Sequence, residues 1–450
     1  MSGEIIFIEG GRVLDPASGT DGIRTVVVRD GRIAEVAERL ERPREARAID
    51  ARGKWVVPGL IDLHVHLREP GQEYKETVET GARAAVAGGF TAVCAMPNTV
   101  PPNDNTGVTE LVLARASAAG LARVYPVGCI SKGQKGEELA EYGELKNAGC
   151  VALSDDGKPV MSSALMRRAL EYARVFDLPV TVHEEDLGLV GKGVMHEGPA
   201  ATRLGLKGVP GAAEEVMVLR DIALAELTGG RLHLAHLSSA GSVRAAREAK
   251  RRGLRVTAEA TPHHLALSDE DVARSGYDTD FKMNPPLRSA ADVHAVREGL
   301  ADGTIDCIAT DHAPHTVVEK DLEFDVAANG VVGLETAFAV CLALARKGAF
   351  SERRLIEALT IAPARAFGLP GGSFAKNAAA DVAILDPGLE WRCEPGRFNS
   401  KCGNSPWKGA MLVGRCTHTL VGGRVVHELD MGASGQGPMG ASGSGPKGER

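Results

Sequence analysis

Residues 60–68 read Leu-Ile-Asp-Leu-His-Val-His-Leu-Arg, an apolar run that carries two histidines two positions apart. On a β-strand, residues i and i+2 project from the same face, so His64 and His66 should point the same way. Two imidazoles on one face are difficult to satisfy inside an apolar protein unless they bind a metal ion. We therefore interpret this stretch as the first strand of a metal-binding domain.

Four more apolar runs end in residues of the same chemical kind. They end in the pair Asp155 and Asp156, in His183, in His236 and in Asp311. Neutral imidazoles and carboxylates are the ligands of a catalytic zinc site with an open coordination position. Adjacent strand residues point in opposite directions, so one aspartate of the pair should reach the metal, and the pattern leaves open which one. The whole pattern predicts a metallohydrolase.

A single histidine at a strand end is more often a hydrogen-bonded structural residue than a ligand. That interpretation is reasonable for His183 or His236 taken alone. We adopt it for His233, because strand alternation turns it away from His236. His263 and His264 follow another strand end, and we expect one of them to support the site without binding the metal.

Between Pro58 and Leu369, short apolar runs alternate with segments of helical period. Eight strand–helix units in succession favour an α/β fold of the (β/α)8 type, a TIM barrel, over an open sheet. The candidate ligands all stand at the carboxyl ends of strands, where barrel active sites are built. The eight predicted strands are Leu60–Leu67, Thr91–Pro97, Arg123–Ile130, Cys150–Ser154, Pro179–His183, Arg231–Leu237, Arg255–Pro262 and Ile305–Asp311.

The segments on either side of this region look rich in β-strands. Asp30-Gly31 joins two strand-like runs as a hairpin turn does, and residues 421–426 repeat the arrangement. The Gly/Ser-rich end of the chain offers little apolar surface to bury and should be disordered. The predicted division is a small satellite β-sandwich domain formed by residues 1–57 and 370–431, a barrel formed by residues 58–369, and a disordered tail formed by residues 432–450.

The composition narrows the functional class. The chain has 450 residues, of which 44% are hydrophobic, so it can bury a large core. A formal net charge of −7 argues against nucleic acid or an anionic membrane as a main partner. The chain lacks an apolar run of about 20 residues and the start of a signal peptide, and its eight cysteines contain no Cys-x-x-Cys. We expect a cytoplasmic enzyme with reduced thiols and a small-molecule substrate.

Polar residues near the ligands should hold that substrate. Arg68 lies two residues beyond the second histidine, nearer the barrel mouth, where a guanidinium can bind a carboxylate in bidentate fashion. The alternative is an exposed arginine paired with Glu69 or Glu73. Asn98 and Asn284 can form amide hydrogen bonds to a planar ring, although loop asparagines are more often turn residues.

Several stretches of the chain resemble dihydroorotases of the amidohydrolase superfamily. The resemblance covers nearly the whole chain up to the tail. The His-x-His pair alone indicates the superfamily, whereas the combination of motifs is highly specific. The matching segments are Pro58–Gly71, Met96–Thr99, Lys282–Arg288, Thr310–His315 and Ser400–Pro406.

This resemblance implies a barrel with a β-sandwich built from both termini. It implies the zinc-dependent, reversible cyclisation of N-carbamoyl-L-aspartate to L-dihydroorotate in de novo pyrimidine biosynthesis. One or two Zn²⁺ ions per subunit are implied, with metal-bound hydroxide as nucleophile and Asp311 as metal ligand and general acid/base. A homo-oligomer and an association with aspartate transcarbamoylase are further expectations.

By the same resemblance, His64 and His66 hold one zinc ion, and His183 and His236 hold the other where two are bound. Many relatives bridge the ions with a carboxylated lysine. One bacterial branch, of class I, uses an aspartate from an Asp-Asp-Gly motif instead. This chain resembles that branch, and its matching residue is Asp156.

Lys158 is the one nearby lysine that competes for the bridging role. Asn329 stands where this branch usually has an aromatic residue. The substrate contacts implied by the resemblance are His66, Arg68, Asn98, Asn284, His315, Asn329 and Gly330.

Two other functions stay open at this point. Another cyclic amidase, such as a hydantoinase or an allantoinase, would use the bridging lysine and would not need Arg68 in this arrangement. A catalytically silent subunit that supports a transcarbamoylase would typically have lost metal ligands, whereas this chain retains all six.

Overall fold

The structure is a computed structural model that describes residues 4–430, so the predicted disordered tail, residues 432–450, lies outside the described residues. Its strands are β1 (Ile5–Asp15), β2 (Thr20–Arg29), β3 (Arg32–Ala37), β4 (Arg47–Asp50), β5 (Trp55–Pro58), β6 (Leu60–Val65), β7 (Phe90–Ala95), β8 (Arg123–Gly128), β9 (Ala152–Leu153), β10 (Val180–Val182), β11 (Met195–His196), β12 (Gly208–Val209), β13 (Leu232–Leu234), β14 (Val256–Ala260), β15 (Cys307–Ile308), β16 (Val382–Arg392), β17 (Met411–Val421) and β18 (Arg424–Glu428). Its α-helices are α1 (Val78–Ala87), α2 (Thr106–Ala119), α3 (Tyr142–Ala148), α4 (Ser163–Val175), α5 (Leu187–Val190), α6 (Pro199–Leu204), α7 (Ala212–Thr228), α8 (Ala240–Arg251), α9 (Pro262–Ala266), α10 (Asp269–Ser275), α11 (Ala290–Ala301), α12 (Val317–Lys320), α13 (Ala337–Arg346), α14 (Glu352–Leu359) and α15 (Ile361–Phe367).

Eight short strands form a parallel sheet in the order β6-β7-β8-β9-β10-β13-β14-β15. Every residue of β6 and β7 is buried, as expected for parallel strands covered on both faces. The sheet closes where Val65 pairs with His312 and the His66 N–H donates to the His312 carbonyl oxygen. The predicted (β/α)8 barrel is therefore confirmed. Each observed strand lies within a predicted run, except that β7 begins one residue earlier, at Phe90.

An irregularity in β6 coincides with its histidine, His64, and precedes His66, which follows the strand. The pairing of β6 with β7 shifts register between Asp62 and Val65. The Asp62 carboxylate accepts hydrogen bonds from the His64 N–H and from the N–H and hydroxyl group of Thr310, beyond β15. Bulges of this kind redirect side chains next to active sites. Asp62 thus joins the first barrel strand to the end of the last one, immediately before the candidate ligands.

The helices around the barrel begin and end at residues suited to these positions. The Asn105 side chain caps α2 by accepting a hydrogen bond from the Val108 N–H, and Gly120 ends that helix with a φ of 61°. The apolar repeat of residues 216–227 predicts a helix that stops at Gly229. Helix α7 does so, because Gly229 adopts the left-handed conformation with a φ of 67°.

The two β-rich flanks form one satellite sandwich, as predicted. Strand β16 pairs antiparallel with β5, with Ile384 opposite Val56. The strand order is β18-β17-β16-β5-β1-β2-β3, with β4 beside β1. Residues 377–380 form hydrogen bonds with residues 31–33 and so bring the segment before β16 against β3. The strands enclose their own apolar core, which is separate from that of the barrel.

The cysteines and helices agree with the composition. All eight cysteines lie within residues 4–430 and are buried free thiols. Two of them, Cys94 and Cys307, pack with Phe367 of α15 in an apolar cluster of the barrel. Within the described range, no helix is both long and apolar enough to cross a membrane.

Glu335 is a largely enclosed acid that precedes α13. Its Oε1 accepts a hydrogen bond from the Asn399 N–H at 2.7 Å, and its Oε2 accepts one from Asn399 Nδ2 at 2.9 Å. Burial outweighs these contacts and raises the pKa of Glu335 to about 7. A carboxyl group with a raised pKa in the folded state contributes stability at acidic pH, and this stability is lost between about pH 4.5 and about pH 7.

The variant Glu335→Gln stays neutral at every pH and should remove this dependence. Relative to the wild type, it should gain about 2 kcal/mol of unfolding free energy between pH 5 and pH 8. Denaturant titrations at both pH values measure the difference, with the exposed Glu144→Gln as matched control. A difference between Glu335→Gln and the wild type that does not change with pH would contradict this assignment.

Candidate metal centre and active site

Side chains from five strand ends converge at the carboxyl end of the barrel. Two overlapping groups of ligand atoms, each within 4.8 Å of one another, share one carboxylate. His64, His66 and Asp156 form the first group, and Asp156, His183 and His236 form the second. All five side chains are buried. The structure therefore brings together the residues that the sequence predicted as ligands.

The spacing of these atoms fits bound ions. Two ligands at 2.0–2.1 Å from a tetrahedral zinc ion lie about 3.3 Å apart. His183 Nδ1 lies 3.1 Å from His236 Nε2, and His64 Nε2 lies 3.2 Å from Asp156 Oδ1. Among the described residues, His64 Nε2 and Asp156 Oδ1 are buried and have no hydrogen-bond partner. Buried polar atoms of this kind are costly unless something binds them, and a metal cation suits both.

Asp311 lies against the first ligand group. Its backbone has a positive φ of 48°, and its Oδ1 is 3.1 Å from His66 Nε2 and 3.7 Å from His64 Nε2. Burial favours the neutral acid, but the hydrogen bond with His66 and the charges of the histidines lower the pKa of Asp311 below its usual value. The side chain is therefore an ionised carboxylate at the edge of the metal cluster.

Asp155 and Asp156 have separate surroundings. The Asp155 carboxylate accepts hydrogen bonds from the Ile130 N–H and from the N–H and hydroxyl group of Ser131, so it fixes the loop after β8. Asp156 alone faces the histidines. Lys158 is exposed to solvent, whereas the ligand atoms are buried. This geometry favours Asp156 as the shared carboxylate.

A buried glutamate that the sequence analysis missed orients the first histidine. Glu259 Oε1 lies 2.8 Å from His64 Nδ1, and Glu259 Oε2 lies 3.0 Å from His233 Nε2. A carboxylate that accepts the Nδ1–H of a histidine leaves Nε2 free to bind a metal. The signal for this role was an acidic residue inside the apolar run that became β14.

His233 has the structural role that was predicted for it and belongs to neither ligand group, but the predicted direction of its side chain is wrong. It binds the same carboxylate as His64, so it faces the barrel interior on the same side as the metal cluster. Alternation failed because β13 ends at Leu234 and the following His236 has a φ of 31°, which breaks the strand geometry. His264 Nε2 lies 2.9 Å from the carbonyl oxygen of Pro285, the residue that follows Asn284, so the supporting role of His264 stays a prediction.

Two further contacts link histidines of the cluster to amide side chains that line the cavity described below. His66 Nδ1 lies 2.9 Å from Asn98 Oδ1, which leaves the Asn98 amide N–H groups available. Glu185, which the sequence analysis also missed, accepts from His183 Nε2 at 3.3 Å and from Asn284 Nδ2 at 3.2 Å. Asn284 is thus left with its Oδ1 as a free acceptor.

A cavity of about 200 Å³ opens above the cluster. Arg68 is only 8% exposed there, and its Nε donates to the Pro314 carbonyl oxygen at 3.3 Å. The alternative of a surface ion pair is wrong, because Glu69 instead binds Arg115. All seven predicted substrate contacts line this cavity: His66, Arg68, Asn98, Asn284, His315, Asn329 and Gly330.

His315 lies beside the arginine. Its Nε2 is 3.2 Å from Arg68 Nη2, and its Nδ1 is 3.4 Å from Lys75 Nζ. Burial and the charges of Arg68 and Lys75 lower the pKa of His315 to about 3, so the imidazole is neutral. Because Glu319 balances the charge of Lys75 at 2.6 Å, the Arg68 guanidinium makes this end of the cavity cationic, and it suits an anionic group of a ligand.

Comparison with known proteins identifies the family. The sequence profile of a family described as Dihydro-orotase-like matches residues 53–242. The dihydroorotase of Anaeromyxobacter sp. (strain K) is 77% identical over 425 residues, which cover 94% of this chain and 98% of that relative. The dihydroorotase of Pelobacter propionicus is 53% identical over 422 residues, which cover 94% and 99%. This chain belongs to the dihydroorotase family.

Solved structures resemble this dihydroorotase-family chain along nearly its whole length. L-Hydantoinase from Arthrobacter aurescens superimposes with a TM-score of 0.84 at 25% identity, covering 95% of this chain and 96% of that one. Dihydropyrimidinase from Brevibacillus agri gives a TM-score of 0.79 at 22% identity, covering 94% and 95%. The second likeness concerns the fold alone. Family membership together with the ligand cluster indicates that this dihydroorotase-family protein uses a metal cofactor.

The variant Glu259→Gln tests whether the contact between Glu259 and His64 Nδ1 supports metal binding. It removes the charge that holds His64 in the metal-binding tautomer, and loss of such a partner lowers metal affinity about 10–100-fold. Competition with a zinc chelator measures the affinity, and circular dichroism checks the fold. Glu335→Gln, another enclosed glutamate away from the cluster, should bind zinc as the wild type does. Equal zinc affinity in all three proteins would refute the role of Glu259.

Proposed function

We propose that this chain catalyses the zinc-dependent, reversible cyclisation of N-carbamoyl-L-aspartate to L-dihydroorotate, a step of de novo pyrimidine biosynthesis. The observation that carries the proposal is the juxtaposition of a buried His/Asp cluster with a cavity whose far end holds the Arg68 guanidinium. The cluster suits hydrolysis of an amide, and the guanidinium suits a ring that bears a carboxylate.

The ligand assignment follows the two observed groups. We assign His64 and His66 to one zinc ion and His183 and His236 to a second, with Asp156 shared between them. Zinc, when bound, supplies a Lewis acid for a carbonyl group and lowers the pKa of water toward about 7. The protein contributes the buried, preorganised ligand set and the hydrogen bonds that orient it.

The substrate-holding groups complement a cyclic amide acid. Arg68 and the neutral His315 bind the carboxylate, with Arg68 held in place by the Pro314 carbonyl oxygen. Asn98 offers N–H donors to a ring carbonyl, and Asn284 offers its Oδ1 to a ring N–H. Backbone groups of Asn329 and Gly330 complete the wall of the cavity. Asn98 thus supplies a hydrogen-bond donor and Asn284 supplies an acceptor. These match the carbonyl and N–H groups that alternate in the ring.

Asp311 carries the proton. In ring opening, it accepts a proton from the attacking water as the C–O bond forms, and it delivers this proton to the ring nitrogen as the C–N bond breaks. In cyclisation, it removes a proton from the attacking carbamoyl nitrogen as the C–N bond forms, and it returns this proton to the departing oxygen, which leaves as water when the C–O bond breaks. The support for this role is that Asp311 lies beside His66 and lines the cavity.

The variant Asp311→Asn keeps the size of the side chain and loses the proton acceptor. We expect hydrolysis of L-dihydroorotate, followed by the loss of ultraviolet absorbance, to fall by about 10²–10⁴-fold. Elemental analysis of the same samples gives the zinc-to-protein ratio, and the exposed Asp50→Asn is the control. Zinc-loaded wild-type protein without turnover would refute the proposed function, and a fully active Asp311→Asn would refute the role of Asp311.

A ring without a carboxylate is the second candidate substrate, and the likeness to L-hydantoinase motivates it. The enclosed Arg68 favours the carboxylate-bearing ring, because an unpaired guanidinium in the cavity gains most from an anion. Assays of hydantoin and dihydrouracil beside L-dihydroorotate separate the two candidates. Faster turnover of either neutral ring would favour the second.

We propose that the chain forms a homo-oligomer. Its support is an exposed apolar stripe on α7, where Val216, Leu219 and Leu227 are 42%, 56% and 63% exposed. Contiguous exposed apolar surface commonly marks a protein–protein interface. Aspartate transcarbamoylase is proposed as a further partner from the family resemblance, and co-purification tests that association.

The variant Leu219→Asp should weaken self-association, because it places a charge in the middle of the apolar stripe. Light scattering during size-exclusion chromatography should show a smaller particle than the wild type. Ile23→Asp, at an isolated exposed apolar residue of β2, should leave the mass unchanged. Identical masses for the wild type and Leu219→Asp would rule out this surface.

We propose that the barrel spans residues 58–369 and that the described parts of the predicted sandwich segments 1–57 and 370–431, residues 4–57 and 370–430, make the satellite sandwich. The support is that β6 begins at Leu60 and that α15 ends at Phe367. A cytoplasmic location is also proposed, since all eight cysteines are reduced and buried.

A further inference from the structure

Residues 399–405, called here the strap, precede β17 and reach from the sandwich to the loops of the barrel. Near its start, the Ser400 hydroxyl and the Lys401 N–H donate to the buried carboxylate of Glu76, in the loop after β6. The Cys402 thiol contacts the Lys75 carbonyl oxygen at 3.2 Å. The strap thus contacts the loop that carries Arg68 without entering the metal cluster.

Asn404 occupies the point where the strap meets the loops after β15. Its Nδ2 donates to the carbonyl oxygens of Ala313 and Gly330, both at 3.0 Å, and its Oδ1 accepts from the His315 N–H at 3.1 Å. Its own carbonyl oxygen accepts from the Val332 N–H at 2.9 Å. Asn404 is buried, and both N–H groups and the oxygen of its amide are used. One side chain therefore holds two cavity-lining loops together.

The two loops that Asn404 joins, one at Ala313 and one at Gly330, are in close contact. Gly330 has a φ of 128°, and a Cβ atom there would lie 2.6 Å from the Ala313 Cβ. The Gly330 carbonyl oxygen also accepts from Lys320 Nζ at 3.1 Å, and the same ammonium group donates to the Ala328 carbonyl oxygen at 3.0 Å. With Asn404, two donors thus fix the Gly330 carbonyl oxygen, and the position of the loop is strongly determined.

These loops form the cationic end of the cavity. His315 and Gly330 line it, and His315 contacts Arg68 at 3.2 Å. The metal ligands are supported separately, by Glu259, Asn98 and Glu185. A change at Asn404 should therefore act on the group that holds the substrate carboxylate and leave the metal cluster intact.

We propose that Asn404 is a positioning residue that sets the affinity of the cavity for a carboxylate-bearing ring. It acts through the His315 and Gly330 loops and does not touch the substrate. The inference rests on the proposed function for the identity of the substrate. It goes beyond that function because it assigns a role to the strap, which lies between strands β16 and β17 of the satellite sandwich.

The test compares three variants of the full chain. Asn404→Asp keeps the shape and the acceptor for His315 but replaces the donor to Ala313 and Gly330 by a second oxygen. Asn404→Ala removes all three hydrogen bonds. Asn399→Ala is the matched control, because Asn399 lies on the same strap but binds Glu335 instead of the cavity loops.

Both changes at Asn404 should raise KM for L-dihydroorotate at least about tenfold, because Asn404→Asp loses two of the hydrogen bonds that position the His315 and Gly330 loops and Asn404→Ala loses all three. The zinc-to-protein ratio and kcat should stay close to those of the wild type, and Asn399→Ala should leave KM unchanged. A parallel fall in kcat and zinc content with unchanged KM would indicate a general structural role and would overturn the proposal.

A double-variant cycle checks that Asn404 acts through His315. In a His315→Ala background, Asn404→Ala should raise KM much less than it does in the wild type, because the positioned group is gone. An equal increase in both backgrounds would show that Asn404 acts independently of His315 and would contradict the proposal.

Amide hydrogen exchange separates this inference from the proposed function. Peptides that cover residues 313–316 and 329–333 should exchange faster in Asn404→Ala than in the wild type or Asn399→Ala. If the wild type does not turn over L-dihydroorotate, the proposed function fails while exchange still decides whether Asn404 holds the loops. Unchanged exchange in these peptides would overturn the positioning role whatever the activity.

Discussion

The Asp156 carboxylate, set among four buried imidazoles, is the interaction on which the rest of the structure depends. His183 Nδ1 and His236 Nε2 approach within 3.1 Å, and Asp156 Oδ1 has no hydrogen-bond partner among the described residues. Protein groups alone satisfy such an arrangement poorly, because a buried carboxylate and converging lone pairs cost free energy without a partner. A bound cation would offset this free-energy cost. We therefore expect the cluster at the carboxyl end of the barrel to be stable mainly when a cation is bound.

The remaining architecture keeps this site in place. Asp62 joins the first barrel strand to the end of the last one, and Glu259 fixes His64 from below. At the other end of the cavity, Arg68 and His315 create a cationic wall. The satellite sandwich contributes through the strap before β17, whose contacts reach the loops on both sides of that wall. The end of the cavity at the His/Asp cluster thus suits metal-dependent chemistry, and the end at Arg68 and His315 suits the binding of an anion.

Local sequence patterns predicted those parts of the structure that depend on neighbouring residues. The eight barrel strands follow from short apolar runs, and the candidate ligands follow from the His or Asp residues at the ends of five of these runs. Alternation correctly required that Asp155 and Asp156 point apart, but the choice between them depended on Ser131, which lies in another loop. Alternation failed at His233, because the strand ended before His236.

Residues that act across space were not predictable in this way. Glu259 sits in an ordinary apolar strand, and its role arises from His64 and His233, which other strands contribute. Glu185 lies only two residues after His183, but it also accepts a hydrogen bond from Asn284, which is 99 residues away in the chain. Asn404 belongs to a recognisable motif, yet its hydrogen bonds join loops about 70 to 90 residues away in the chain. Such roles appear only when the barrel closes and brings these segments together.

Anomalous diffraction at the zinc absorption edge, from crystals of the zinc-loaded protein, would show directly whether Asp156 is shared between two ions. We expect two anomalous peaks about 3.5–4 Å apart, as in two-metal sites, with the Asp156 carboxylate in contact with both. His64 and His66 should bind one peak, and His183 and His236 the other. Zinc bound away from this cluster, or bridged by a modified Lys158 in place of Asp156, would contradict this expectation.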